Sequence, residues 1–302
     1  MSAPTVELDA QYRQLREECG LVERPDRGLL IVSGPDAADY LQGQLTNDTE
    51  AIEPGEWIYA ALLDRKGHMQ ADMRVLRPGD GPDLWLDLEP EGVAAASRHL
   101  QMYKIGREVE VADAGDEYVL LSLIGPRATE IARAVEATTL RTDQGVDLIV
   151  PIAERDGVHA ALTAAGAVEV SPEAAEIVRI EAGRPRFGAE MGTETMPAEA
   201  GIVEQAVSFT KGCYIGQETV ARLHYKGRPN RHLRGLKFSA PAQPGERLVL
   251  GEKEVGAVGS EALSPALGPI GLAILRREAE PGTTVAVGED GVTAEVVALP
   301  FG

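Results

Sequence analysis

Cysteine is almost absent from this chain: Cys19 and Cys213 are the only two, far apart in sequence. Two cysteines build no disulfide framework, and with no CxxC or Cys/His cluster neither a zinc site nor an iron–sulfur site within one chain is encoded. Aromatics are equally thin at 4%, too few for a base-stacking platform, so single-stranded nucleic acid is a poor ligand. No apolar run approaches the roughly 18 residues that span a bilayer. Met1–Glu18 carries acids and no apolar stretch, so no secretory leader is expected. A reducing, cytoplasmic compartment follows as the expectation. Neither a Walker A loop nor a GxGxxG after a strand is present. Bases are scarce too, 29 against 48 acids for a net charge of −19, a body that repels nucleic acid in the mean.

What is there is ordinary globular composition over 302 residues, with 44% hydrophobic residues. That length suggests about two domains, each able to build its own core. Residues 8–19 read as a surface helix stopped by Gly20. Gly28–Ser33 reads as a buried strand, Gly34-Pro35 as a turn and Asp36–Gln42 as a short helix. Trp57–Leu63 and Met69–Leu76 are strands joined by the hairpin turn Asp64-Arg65-Lys66-Gly67. Leu84–Leu88 (strand), Val93–Tyr103 (helix) and Arg107–Val111 (strand) follow. Tyr118–Ile124, Gly125-Pro126 and Arg127–Val135 then echo the earlier strand–Gly-Pro–helix unit as a weak internal repeat. Val158–Ala165 is a short helix, and Ser171-Pro172-Glu173 opens another that ends near Ala182. Beyond about residue 230 the chain turns to six short β-like runs broken by Gly and Pro, a small antiparallel barrel or sandwich. The class is α+β with an all-β C-terminal domain, divided as residues 1–228 and 229–302.

Three places carry chemistry. Ser208–Phe238 holds seven bases against one acid; it either docks something anionic or pairs with the protein's own surplus acids. In Val207–Glu218 an apolar strand runs into a Gly-punctuated turn and a helix Gln217–Tyr225. Cys213 then lies just outside a helix N-terminus, two residues from Lys211. Both features favour a thiolate, unless the residue is a buried structural cysteine. Glu190 leaves a helix near Arg184 and Arg186, in a site or in a surface salt bridge.

Lys211-Gly212-Cys213-Tyr214-Ile215-Gly216-Gln217-Glu218 resembles the K-G-C-Y-x-G-Q-E signature of YgfZ-type proteins, folate-binding relatives of the glycine-cleavage T-protein (aminomethyltransferase). Gly34-x-Asp36, Tyr40–Thr46, Asp64-x-Lys66-Gly67-x-Met69, Ile180-Glu181-Ala182-Gly183-x-Pro185, Val220-Ala221-Arg222 and Gly227–Leu233 extend the likeness over nearly the whole chain, most weakly across residues 127–170. The resemblance implies the T-protein fold: two interleaved α+β subdomains and a C-terminal β-barrel in a ring-like arrangement around a folate channel. It implies tetrahydrofolate, or a one-carbon derivative, as ligand, and a part in maintaining iron–sulfur enzymes, tRNA-modifying ones among them.

On that resemblance Glu190 stands where the T-protein carries an acid for the pterin, whose N–H groups a carboxylate accepts well. Arg222 and Lys226 suit the anionic glutamate tail, Tyr214 the ring system, and Gln217, Glu218, Asp64 and Lys66 the rest of the site. Gln217 replaces a common arginine. An Asp that serves transfer in the T-protein has no counterpart in Glu89–Ala95. The expectation is a monomeric, folate-binding accessory factor for iron–sulfur assembly or repair. Its working pair is Cys213 and Lys211, and its partners are iron–sulfur clients or cluster-assembly proteins, with no membrane and no direct nucleic-acid contact. The alternative is a folate-dependent aminomethyl or methyl transferase of the T-protein class.

Overall fold

In a computed structural model, which describes residues 6–301, the chain forms three sheets. The first runs Trp57–Leu63, Met69–Leu76, Leu84–Leu88, Gly28–Ser33, Glu110–Asp113, antiparallel throughout. The second runs Val168–Glu169, Gly20–Arg24, Tyr118–Ile124, Gly145–Pro151, Thr138–Arg141. Gly20–Arg24 precedes every strand of the first sheet yet pairs with Tyr118–Ile124 in the second, so the two halves interleave.

The strand–Gly-Pro–helix units build the same corner twice. Gly34 (φ +111°) and Gly125 (φ +128°) are both in the left-handed region. A Cβ on Gly34 would meet the Glu108 carbonyl oxygen at 2.2 Å, and one on Gly125 the Glu18 carbonyl oxygen at 2.5 Å. Each glycine carbonyl then accepts the third-following N–H, Ala37 or Ala128, at 3.1 Å. Only glycine satisfies both demands. Helices Ala37–Gln42 and Pro90–Tyr103 cover one face of the first sheet, and Ala128–Ile131 and Arg155–Ala164 cover one face of the second. The uncovered faces meet through Leu29, Leu76, Leu120, Leu140 and Ile149, with Trp85 edge-on to Tyr118 at 5.0 Å.

The third sheet has seven antiparallel strands from Arg231 to Val297 and curls on itself. Gly256, on Lys253–Ala257, lies so near Gly268–Arg276 that a Cβ would stand 2.8 Å from the Ile274 carbonyl oxygen. Helices Val6–Glu17 and Pro172–Glu181 pack together against its Ala262, Ile270 and Leu272. Glu181 accepts from Tyr12 Oη at 3.1 Å and from Ser264 Oγ at 2.6 Å across that seam.

Several sequence expectations shift. Gly20 does not cap the helix, which ends at Glu17; it opens a strand by pairing with Val168 and Ile124. The helix expected over Arg127–Val135 is one turn, Ala128–Ile131, tightening to a 3-10 turn at Ala132–Ala134, since the chain must reverse into Thr138–Arg141. The helix expected from Val93 starts at Pro90, and the strand expected over Arg107–Val111 is Glu110–Asp113. Val207 lies in no strand; it follows the helical turn Val203–Ala206. Met1–Thr5, part of the leader expectation, lies outside the described residues. Among those described, no helix is long and apolar enough to cross a membrane.

Candidate functional site

Alternation along the first sheet sends Ala60, Leu62, Ala71, Met73 and Val75 into the helix-covered core. The opposite face therefore receives Tyr59, Asp72, Arg74 and Asp87. Asp87 binds Arg27 through two contacts, Nε to Oδ1 at 3.0 Å and Nη2 to Oδ2 at 2.5 Å, and Arg74 Nε at 2.6 Å. Arg27 also binds Glu89, and Arg74 binds Asp147 of the second sheet. Burial alone would push the Asp87 carboxyl up, but the two guanidinium groups outweigh it and hold it far below the usual range. Asp72 is different. Tyr59 Oη donates to its Oδ2 at 2.5 Å, while its Oδ1 is buried without a partner among the described residues. Burial pushes this carboxyl up to about 6, against the Tyr59 hydrogen bond and the charge of Arg27.

A cavity of about 860 Å³ opens between the end of helix Pro172–Glu181 and the curled sheet, walled by Glu176, Arg186, Glu190, Arg231, Ser260 and Arg276. Glu176 is held by Arg179 at 2.8 Å and Arg186 at 3.1 Å. Burial works against its ionisation, but these arginines keep its carboxyl below the usual range. Glu190 accepts from Arg179 Nη1 at 3.2 Å and from the Arg186 N–H at 3.0 Å on Oε2, and from Ser260 on Oε1. Its side chain is fully buried, so these three bonds stand in for solvent around the carboxylate.

The signature segment forms a third feature. Lys211 Nζ donates to the carbonyls of Gln42, Leu45 and Asn47 at 2.6, 2.7 and 2.9 Å. It also stands 5.2 Å from the Tyr214 ring centroid, within cation–π range. Burial lowers this ammonium to about 8. Tyr214 is packed among Leu63, Met69, Phe187, Met191 and Val220, its hydroxyl without a partner among the described residues and pushed by burial up to about 12. Gly216 (φ +85°) precedes helix Gln217–Lys226 and abuts the Asp64–Gly67 turn: a Cβ on it would lie 2.6 Å from the Asp64 carbonyl oxygen. Asp64 accepts from the N–H groups of Lys66 at 2.8 Å and His68 at 2.9 Å. Burial opposes them, yet they hold its carboxyl low.

Asp64, Lys66, Lys211, Cys213, Tyr214, Gln217 and Glu218 thus share one junction, and Arg222 and Lys226 continue along its helix. Of the residues expected to bind the ligand, Glu190 alone lines the cavity. Cys213 is exposed, and its thiol makes no hydrogen bond among the described residues. The Lys211 ammonium is committed to three carbonyls. Cys19 is buried, which pushes its thiol up to about 11 and leaves it inert. No group of three or more potential metal ligands occurs among the described residues. Arg222, Lys226 and Arg228 are exposed and form no ion pair there, whereas Arg231 binds Glu199 at 2.7 Å. Sequence reasoning missed Tyr59, Asp72, Arg74, Asp87, Glu176 and Arg179. The available signal was polar Gln70, Asp72 and Arg74 alternating with apolar residues in Met69–Leu76.

Two interleaved α+β halves, a curled C-terminal sheet and a walled cavity beside it define the class as a T-protein fold. A solved aminomethyltransferase T of the glycine cleavage system from Bartonella henselae superposes with a TM-score of 0.86 at 23% identity, over 98% of this chain and 89% of that one. The GCVT N-terminal domain family matches residues 5–144, and the glycine cleavage T-protein C-terminal barrel domain matches residues 231–301. Proteins named aminomethyltransferase are similar across almost the full length. The one from Streptomyces coelicolor is 30% identical over 96% of this chain and 88% of its own. The one from Rubrobacter xylanophilus is 29% identical over 97% and 86%. The chain belongs to the glycine-cleavage T-protein family.

Proposed function

We propose that the protein binds tetrahydrofolate, or a one-carbon derivative, in the cavity walled by Glu190, and acts as an accessory factor in assembling or repairing iron–sulfur clusters. The observation that carries the second half is the exposed Cys213 thiol, in a K-G-C-Y-I-G-Q-E segment held by Lys211, Tyr214 and Gly216. The cavity suits the ligand. Its volume of about 860 Å³ lies in the range of small-molecule sites. Arg186, Arg231 and Arg276 line it, and Arg276, which forms no ion pair among the described residues, offers a cation to a carboxylate tail. Bound tetrahydrofolate supplies a nitrogen that carries a one-carbon unit. This chain's residues hold it, exclude water and present a thiol. A lone cysteine cannot hold a cluster, so any cluster is shared with a client, an assembly protein or a small thiol. In this reading residues 1–228 bind the ligand, residues 229–302 close the site, and the protein works as a cytoplasmic monomer.

The test is rescue. Cells lacking their own protein of this type receive the intact chain or Cys213→Ala, and an iron–sulfur tRNA-modifying enzyme is assayed. Restoration by the intact chain alone supports the proposal; equal restoration by both makes the thiol structural. A second reading, folate-dependent one-carbon transfer, rests on Asp72, a buried carboxyl at about 6 with one oxygen unpartnered, and on relatives named aminomethyltransferase. Formation of methylene- or methyl-tetrahydrofolate by the purified protein, abolished in Asp72→Asn, would favour it over the first.

A further inference from the structure

The apolar interior of the curled sheet stops short of one rim. Along Arg231–Phe238, the alternate side chains Phe238 and Leu236 belong to the core. The same alternation brings Arg234 and His232 to that side next. The register partner of His232 is Leu275, itself a core residue. A cavity of about 380 Å³ opens there, lined by Arg228, His232, Arg234, Arg277, Glu278 and Glu280 along with two prolines. It shares no lining residue with the cavity at Glu190.

Its electrostatics are unbalanced. Glu278 is taken by Lys253, which leaves Glu280 as the remaining acid. Arg228 and Arg277 are exposed and make no ion pair among the described residues. Arg234 donates from Nη1 to the Leu233 carbonyl at 3.0 Å, but its Nε is buried with no acceptor. Guanidinium groups converging on one opening match the planar, paired acceptors of phosphate and carboxylate. In a chain of net charge −19, free anions are repelled from most of the surface, so an anion held here is held by this site.

We propose that this rim is a binding site for a small ligand bearing an oxyanion, phosphate or carboxylate, gripped by Arg234 from within and by Arg228 and Arg277 from the edge. The site is independent of the folate reading.

The full-length chain is titrated by calorimetry with inorganic phosphate and, separately, with citrate, at ionic strength matched by chloride. Saturable binding of one equivalent is expected for at least one probe, at millimolar affinity or tighter. The double variant Arg228→Gln/Arg277→Gln removes only exposed side chains, and its fold is checked by circular dichroism. It should bind about tenfold more weakly or worse, the loss that one charge-assisted hydrogen bond brings. Binding of phosphate alone identifies a phosphate ligand, and binding of citrate alone a carboxylate. Saturation by neither probe, or equal binding by the double variant, overturns the proposal.

Discussion

Asp87→Asn is the sharpest test of how the two interleaved halves are held together. Asp87 side-chain exposure is 3%, and its partners Arg27 and Arg74 are 12% and 14% exposed. The amide keeps the shape but not the charge, so two buried guanidinium groups lose their shared counter-ion. Breaking such a pair costs about 3–5 kcal/mol, most of it from the charges left behind. Glu89 and Asp147 still face Arg27 and Arg74, which places the value near the lower end. For a chain of this size that lowers the melting temperature by roughly 5 °C. Differential scanning calorimetry measures it, with the exposed Arg127–Glu130 pair as a control that barely moves. The pH dependence has a fixed sign. The folded Asp87 carboxyl lies below its unfolded value, so its contribution is present above the ordinary carboxylate range and vanishes as pH falls through the folded value. The gap between wild type and variant should therefore shrink below about pH 4. A loss under about 1 kcal/mol at neutral pH, or a gap that persists unchanged into acid, would refute the reasoning.

Tyr59→Phe removes the donor that favours ionised Asp72, so the Asp72 midpoint should rise above about 6 in a carboxyl NMR titration; an unmoved midpoint would break the link. Because the folded Asp72 binds its proton more tightly than the unfolded one, its ionisation removes stability as pH rises from about 4, and this loss should deepen in the variant. Gly216→Ala forces a side chain into the left-handed region and into the Asp64 carbonyl, costing at least about 1–2 kcal/mol. Urea midpoints should show that loss for Gly216→Ala but not for Gly212→Ala, where a Cβ meets nothing within 4 Å.

Much of the architecture was legible in the chain. The repeated Gly-Pro corners marked the two halves because a positive φ beside a foreign carbonyl admits only glycine, a local demand that leaves a local trace. Ser171 as N-cap, its Oγ accepting from the Ala174 N–H at 3.2 Å, is another local device read correctly. Gly145–Pro151 was not legible. It is buried between Tyr118–Ile124 and Thr138–Arg141, and such runs lack alternation. The polar face of Tyr59, Asp72, Arg74 and Asp87 was missed for a related reason. Its members come from three strands, and only strand pairing brings Arg74 beside Asp87. Lys211 was read as a neighbour of Cys213 by proximity along the chain; its ammonium instead reaches carbonyls some 165 residues away, a contact that no spacing rule encodes.

The signature segment shows what a packed frame leaves over. Lys211 is fixed by three carbonyls of the Gln42–Asn47 loop, Tyr214 by burial in an apolar cluster, and Gly216 by a contact that no other residue tolerates. Folding therefore accounts for these three. It does not account for Cys213, whose thiol faces solvent with neither packing nor a hydrogen bond among the described residues. An exposed thiol stabilises nothing and invites oxidation. The frame around it orders the turn from both ends: Lys211 anchors it two residues before, and Gly216 locks it three residues after, against the Asp64–Gly67 turn. Cys213 thus stands between fixed neighbours with no structural duty of its own.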